Sequence, residues 1–162
     1  MFILRDINIY EATIIDRMHH LDLELFNYQI TFTYDLLKDL YEASILDKID
    51  NRIANMHRFS ELKIFKKGIQ SLSRITANEY RNLMKVMIFA LDNLISDETL
   101  NKKLLKIYED WNNIYIMSRY EEFTEEDLNN FEVIYLKLFN YIQKYFKYYD
   151  LFQNIANYFK IF

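Results

Sequence analysis

The segment TANEYRNLMKVMIFALDNLISDETL, residues 76–100, holds two helix starts and the chain between them, and its reading decides the fold. Thr76 and Glu79 have the S/T-x-x-E spacing of a capping box, in which the Thr hydroxyl accepts from a free backbone N–H and the Glu reaches back to the cap. Tyr80, Leu83, Met84, Met87, Ile88, Leu91 and Ile95 then recur at three- and four-residue steps. That period predicts a helix over about 77–95 with one apolar face. Ser96, followed by Asp97 and Glu98, predicts the next cap, with two carboxylates where the helix dipole is positive.

Working toward the C-terminus, Leu100, Leu104, Ile107, Trp111, Ile114 and Met117 form the buried stripe of a second helix ending near Arg119. Thr124 opens a third, with Glu125, Glu126 and Asp127 in its first turn. Leu128, Phe131, Ile134, Tyr135, Leu138, Ile142 and Phe146 carry it to about Tyr149. Amphipathic helices joined by short polar links favour antiparallel packing, so residues 77–149 read as a three-helix core. Leu151 to Phe162 has the spacing of a short tail helix.

Toward the N-terminus the pattern is ambiguous. Leu21, Leu23, Leu25 and then Ile30, Phe32, Tyr34 alternate with period two, as in a half-buried strand, yet Glu11 to Tyr41 also fits a helix. A helix is expected through Leu36 to Arg52, where Leu37, Leu40, Ile45, Ile49 and Ile53 share a face. The expected class is therefore mostly α, an antiparallel helical bundle in one domain over 1–162, with short strands as an alternative in the N-terminal third.

Composition removes several chemistries. The absence of Cys excludes disulfides, zinc-thiolate sites and a thiol nucleophile, and a single glycine, Gly68, excludes a glycine-rich phosphate loop. A length of 162 residues suffices for one domain burying about 70% of its unfolded surface. No signal peptide is read at the start, where Arg5 and Asp6 interrupt the apolar run, and no apolar run reaches the roughly 20 residues of a membrane span. An intracellular location, nuclear or cytoplasmic, without a membrane partner is the expectation.

The net charge of −4 is unevenly spread. Residues 1–51 carry −6, residues 52–85 carry +6 and residues 86–162 carry −4. The basic segment contains Arg52, Arg58, Lys63, Lys66, Lys67, Arg74, Arg81 and Lys85. These eight are the candidate nucleic-acid contacts, since cations on phosphates bind without regard to sequence. The plainer alternative is that the segment packs against its acidic neighbours. With only Phe59, Phe65 and Tyr80 interleaved, a base-stacking platform is not expected.

Other constellations in the sequence suggest further chemistries. Asp16 and His19 share a helix face, but a di-iron bundle needs a second such motif and further carboxylates. Arg52 and His57 have the R-x4-H spacing of HEPN-type helical ribonucleases, which makes RNA cleavage an alternative activity. The acids Glu121, Glu122, Glu125, Glu126 and Asp127 read as helix-start complements rather than a metal site. Neither a metal nor a cofactor is expected.

The stretch from His57 to Phe89, HRFSELKIFKKGIQSLSRITANEYRNLMKVMIF, resembles fungal transposases of the Plavaka type, in the Kyakuja–Dileera–Zisupton superfamily. Those proteins carry a similar RF-x-x-LK-x-FKKG-I-x-x-L-S run followed by T-G-x-E-Y and an apolar helix. Upstream, Tyr34 to Tyr41 (YDLLKDLY) is similar to the family's D-L-L-H-Q-L-Y box, and the resemblance extends over about residues 34–147. It implies a DDE-type transposase, in which carboxylates of an RNase H-like core hold two metal ions to cut and join DNA. Asp35 falls on the acid of the family box. The departures are Lys38 for the box histidine, Asn78 for glycine, and no counterpart of the final glutamate motif before Phe162. The resemblance thus implies a catalytically incomplete, transposase-derived fragment with weak, sequence-independent DNA binding and no enzymatic activity. The competing class is a protein-interaction module resembling viral apoptosis inhibitors, which bind an amphipathic partner helix in a groove.

Overall fold

The structure, a computed structural model, describes residues 18–57, 60, 62–63, 65–66, 68–70 and 74–145. It is mostly α, as expected, with helices packed against one another. A π-helical segment, Met18–Leu25, runs directly into α1, Phe26–Leu40. Then follow α2 (Ser44–Ala54), α3 (Ala77–Leu91), α4 (Glu98–Met117) and α5 (Glu125–Tyr145). The α3 helix packs on the π-helical segment, on α1, on α2 and on α4, and α4 packs in turn on α5.

Among the described residues there is no strand, which settles the N-terminal ambiguity from Met18 onward in favour of helix. Period two misled because one of the buried residues is a carboxylate. Leu21 and Asp22 are buried together and Phe26 follows on the same side, so Asp22 interrupts a helical stripe that sequence reading could not see. The helix expected over 36–52 is also corrected. It is broken between Leu40 and Ser44, where Tyr41 turns extended at φ −132° and ψ 165°.

Caps fix the remaining boundaries. The Thr76 box is present in both directions, with the Thr76 N–H donating to Glu79 Oε2 at 2.7 Å and the Glu79 N–H to Thr76 Oγ1 at 3.4 Å. The α3 helix ends at Leu91 rather than near Ile95, and Asn93 takes a left-handed φ of 48° in the turn beyond it. The cap of α4 is Asp97, not Ser96: its Oδ1 accepts from the Leu100 N–H at 2.9 Å. At α5, Thr124 and Asp127 form the reciprocal pair, with the Thr124 N–H on Asp127 Oδ2 at 2.9 Å and the Asp127 N–H on Thr124 Oγ1 at 3.1 Å. The acids of this turn therefore include one true capping group. The tail-helix expectation over 151–162 and the end of the third helix beyond 145 lie outside the described residues.

The core is centred on Phe26, whose ring meets Tyr80 and Tyr108 edge-on at 6.2 Å and stacks on Trp111 at 5.7 Å. Leu37, Ile49, Ile53, Leu83, Met87, Leu91, Leu104 and Ile114 complete it. Within it the Thr33 hydroxyl bonds the Gln29 carbonyl at 2.8 Å and shares a hydrogen bond with the Tyr108 hydroxyl at 2.9 Å, tying α1 to α4. Burial holds Tyr108 well above its ordinary phenolic range. No helix among the described residues is long and apolar enough to cross a membrane.

Candidate functional site

The eight cations of the basic segment do not act alike. Arg52, on the last turn of α2, reaches the C-terminus of α3: its guanidinium donates to the carbonyls of Ala90 at 3.0 Å, of Asp92, and of Asn93 at 3.2 Å. Those carbonyls carry the negative end of the helix dipole and lack helical partners, so a planar cation satisfies several at once. Lys63 is paired with Glu79, the capping-box acid of α3, and its backbone N–H donates to Asn82 Oδ1 at 3.3 Å. Arg81 donates through Nε to Asp22 Oδ2 at 2.7 Å and also bonds the Tyr115 side chain, joining α3 to the π-helical segment and α4.

Three of the candidates are thus taken up by the fold. Lys66, Arg74 and Lys85 are exposed and make no ion pair among the described residues. Arg58 and Lys67 lie outside the described residues. His57 is exposed, while the Arg52 guanidinium is held on the three carbonyls at the end of α3. Asp35 stands exposed on α1. Among the described residues no three His, Asp or Glu side chains converge.

The Lys63–Glu79 pair makes a pH prediction. Lys63 and the Thr76 donors hold the Glu79 carboxyl down at about 2, against an ordinary 4.5. A depressed carboxyl pKa contributes stability that is full above the unfolded value and is lost as pH falls through the folded one. Stability should fall between about pH 4.5 and pH 2, and Glu79→Gln should remove up to one proton from that slope. Chemical denaturation of both proteins at a series of pH values checks it; parallel pH curves would contradict the assignment.

Gly68, within the FKKGI run, takes a left-handed φ of 70°. Its backbone lies against the Asp50 side chain so closely that a Cβ would overlap the carboxylate. Asp50 accepts from the Ile69 N–H at 2.8 Å, the Gln70 N–H at 3.2 Å, Gln70 Nε2 at 3.1 Å and the Tyr34 hydroxyl at 2.9 Å. Sequence reasoning missed Asp50. The signal available was the single glycine, which marked a backbone position needing a partner close by.

A second group of exposed residues is apolar and lies beside the acids Glu121 to Asp127. Ile116 at the end of α4, Tyr120 and Phe123 in the link, and Leu128, Val133 and Leu136 on α5 are all exposed. Leu128 is expected in the buried stripe of its helix and is instead 50% exposed, because packing of α5 on α4 puts Phe131, Ile134, Tyr135 and Leu138 against the core and leaves Leu128 at the edge of that face. Exposed apolar residues are ordinary singly, but these six fall within residues 116–136, and the Tyr120 and Phe123 rings among them meet at 5.8 Å. Compared with models of protein families, with curated proteins and with solved structures, the chain has no match in any of the three.

Proposed function

We propose that the chain is a transposase-derived helical domain, without catalysis of its own, that works by docking another protein onto the exposed apolar face of α4 and α5. The resemblance over residues 34–147 supports the origin. The observation that carries the docking mode is the run of exposed Ile116, Tyr120, Phe123, Leu128, Val133 and Leu136. Apolar surface of this kind gains free energy when water is removed from it, at about 25 cal/mol per Å2.

Sequence-independent nucleic-acid binding is the second reading, favoured by the exposure of Lys66, Arg74 and Lys85. Lys66, Arg74 and Lys85 by themselves, the three such cations among the described residues, would support weak binding with a shallow salt slope, of about three counterions. Changing Lys63 would confound that test, since it also supports the Glu79 cap. A photocrosslinking side chain at Phe123 or Leu136 should yield protein adducts in cells, and one at Lys66 or Lys85 should not. Nucleic-acid adducts at the two lysines, with none at the α4–α5 face, would reverse the order of the two readings.

A further inference from the structure

We propose that the end of the bundle formed by Ile116, Tyr120, Phe123 and Leu128 receives a cationic amphipathic helix of a partner protein. This rests on the docking reading above and adds the charge and shape of the partner. The Tyr120 and Phe123 rings meet each other at 5.8 Å, tilted by 41°, while both remain more than 40% exposed. Ile116 on the last turn of α4 and Leu128 on the first turn of α5 flank them, at 57% and 50% exposure. The four occupy one continuous stretch that reverses direction between two packed helices.

What surrounds this patch selects its partner. Glu121, Glu122, Glu125 and Glu126 are exposed within the same stretch, and Arg119 is its one basic residue. Asp127 is engaged by the Thr124 cap, which holds its carboxyl below the usual range. Exposed acids interleaved with exposed apolar residues repel phosphates, anionic lipid and acidic helices, and attract a segment with Lys or Arg beside its apolar residues. Anchors spaced i, i+3, i+4 on such a segment present one apolar face to the two rings and cations to the acids. Docked aromatic rings are also the residues that dominate binding energy at protein interfaces.

The test uses the full chain and three fluorescent peptides read by anisotropy: a helical Leu/Lys amphipath, a Leu/Glu peptide of the same pattern, and a Ser/Lys peptide of equal charge. The Leu/Lys peptide should bind at least about tenfold tighter than either other, a difference expected when apolar and charged contacts act together. Tyr120→Ser with Phe123→Ser, and separately Glu122→Lys with Glu125→Lys, should each weaken it about tenfold. Asp39→Lys with Glu42→Lys, the same charge change at exposed positions around the end of α1, should leave it unchanged. Circular dichroism confirms that each variant folds. Equal binding of the Leu/Lys and Leu/Glu peptides would overturn the charge preference and leave the docking reading intact. Equal weakening by the Asp39 and Glu42 changes would overturn it as a net-charge effect. Absence of Leu/Lys binding would overturn it, as would a concentration-dependent mass in sedimentation that the Tyr120 and Phe123 changes abolish, because a second copy would then be the occupant.

Discussion

Arg81→Met is expected to lower stability by about 3–5 kcal/mol, the cost of leaving a buried carboxylate without its cation. Asp22 is 0% exposed, and its Oδ2 bonds Arg81 while its Oδ1 has no hydrogen-bond partner among the described residues. Among the described residues the carboxylate therefore depends on one guanidinium. The reverse truncation is milder. In Asp22→Ala the Arg81 side chain, already 39% exposed, keeps its Tyr115 contact and hydrates, so the loss should be nearer 1 kcal/mol, that of an ordinary hydrogen bond. Asp22→Leu with Arg81→Met should recover most of the loss, because apolar replacements of a buried pair are often neutral or better. Urea denaturation of the variants measures all of these. A midpoint for Arg81→Met close to that of the original protein would show that Asp22 is not sustained by this pair.

Gly68→Ala should cost about 4–5 kcal/mol, combining roughly 1–2 kcal/mol for a side chain at positive φ with about 1 kcal/mol for each of the three Asp50 hydrogen bonds displaced. The added Cβ cannot coexist with the Asp50 carboxylate where it stands. Displacing Asp50 frees the Ile69 and Gln70 N–H groups and the Tyr34 hydroxyl, which burial and the neighbouring carboxylate both hold in its neutral form. Asp50→Ala removes the same bonds by another route. The double variant should therefore be little worse than Gly68→Ala alone, since groups acting as one unit are not additive. Additive losses would mean that the glycine and the carboxylate act independently.

What was legible in the sequence was local. The Thr76–Glu79 box and the start of α5 at Thr124 could be read because cap and acceptor lie three residues apart. The stripe of α4 could be read because Leu104, Ile107, Trp111 and Ile114 answer to one period. The unread features are those whose partners are distant in the chain. Arg81 reaches Asp22 across 59 residues, and Arg52 reaches carbonyls 38 to 41 residues away. Counting charge by segment left a nucleic-acid surface and packing against the acidic neighbours both open but named no partner; Arg81 meets Asp22, as in the second reading, and Arg52 meets backbone carbonyls. The break at Tyr41 escaped because no Gly or Pro marks it, and the outward turn of Leu128 because helical period fixes a face only once the neighbour is known.

Trp111 is the one tryptophan of the chain, buried against Phe26 with its indole N–H unpartnered among the described residues. The molecule therefore carries an optical reporter at the junction of α1 and α4. In such apolar surroundings its fluorescence should emit toward the blue and move to the red only when that junction admits water. A partner seated on Tyr120 and Phe123 would leave the emission in place. The same signal thus separates occupation of the surface from opening of the interior, without a label.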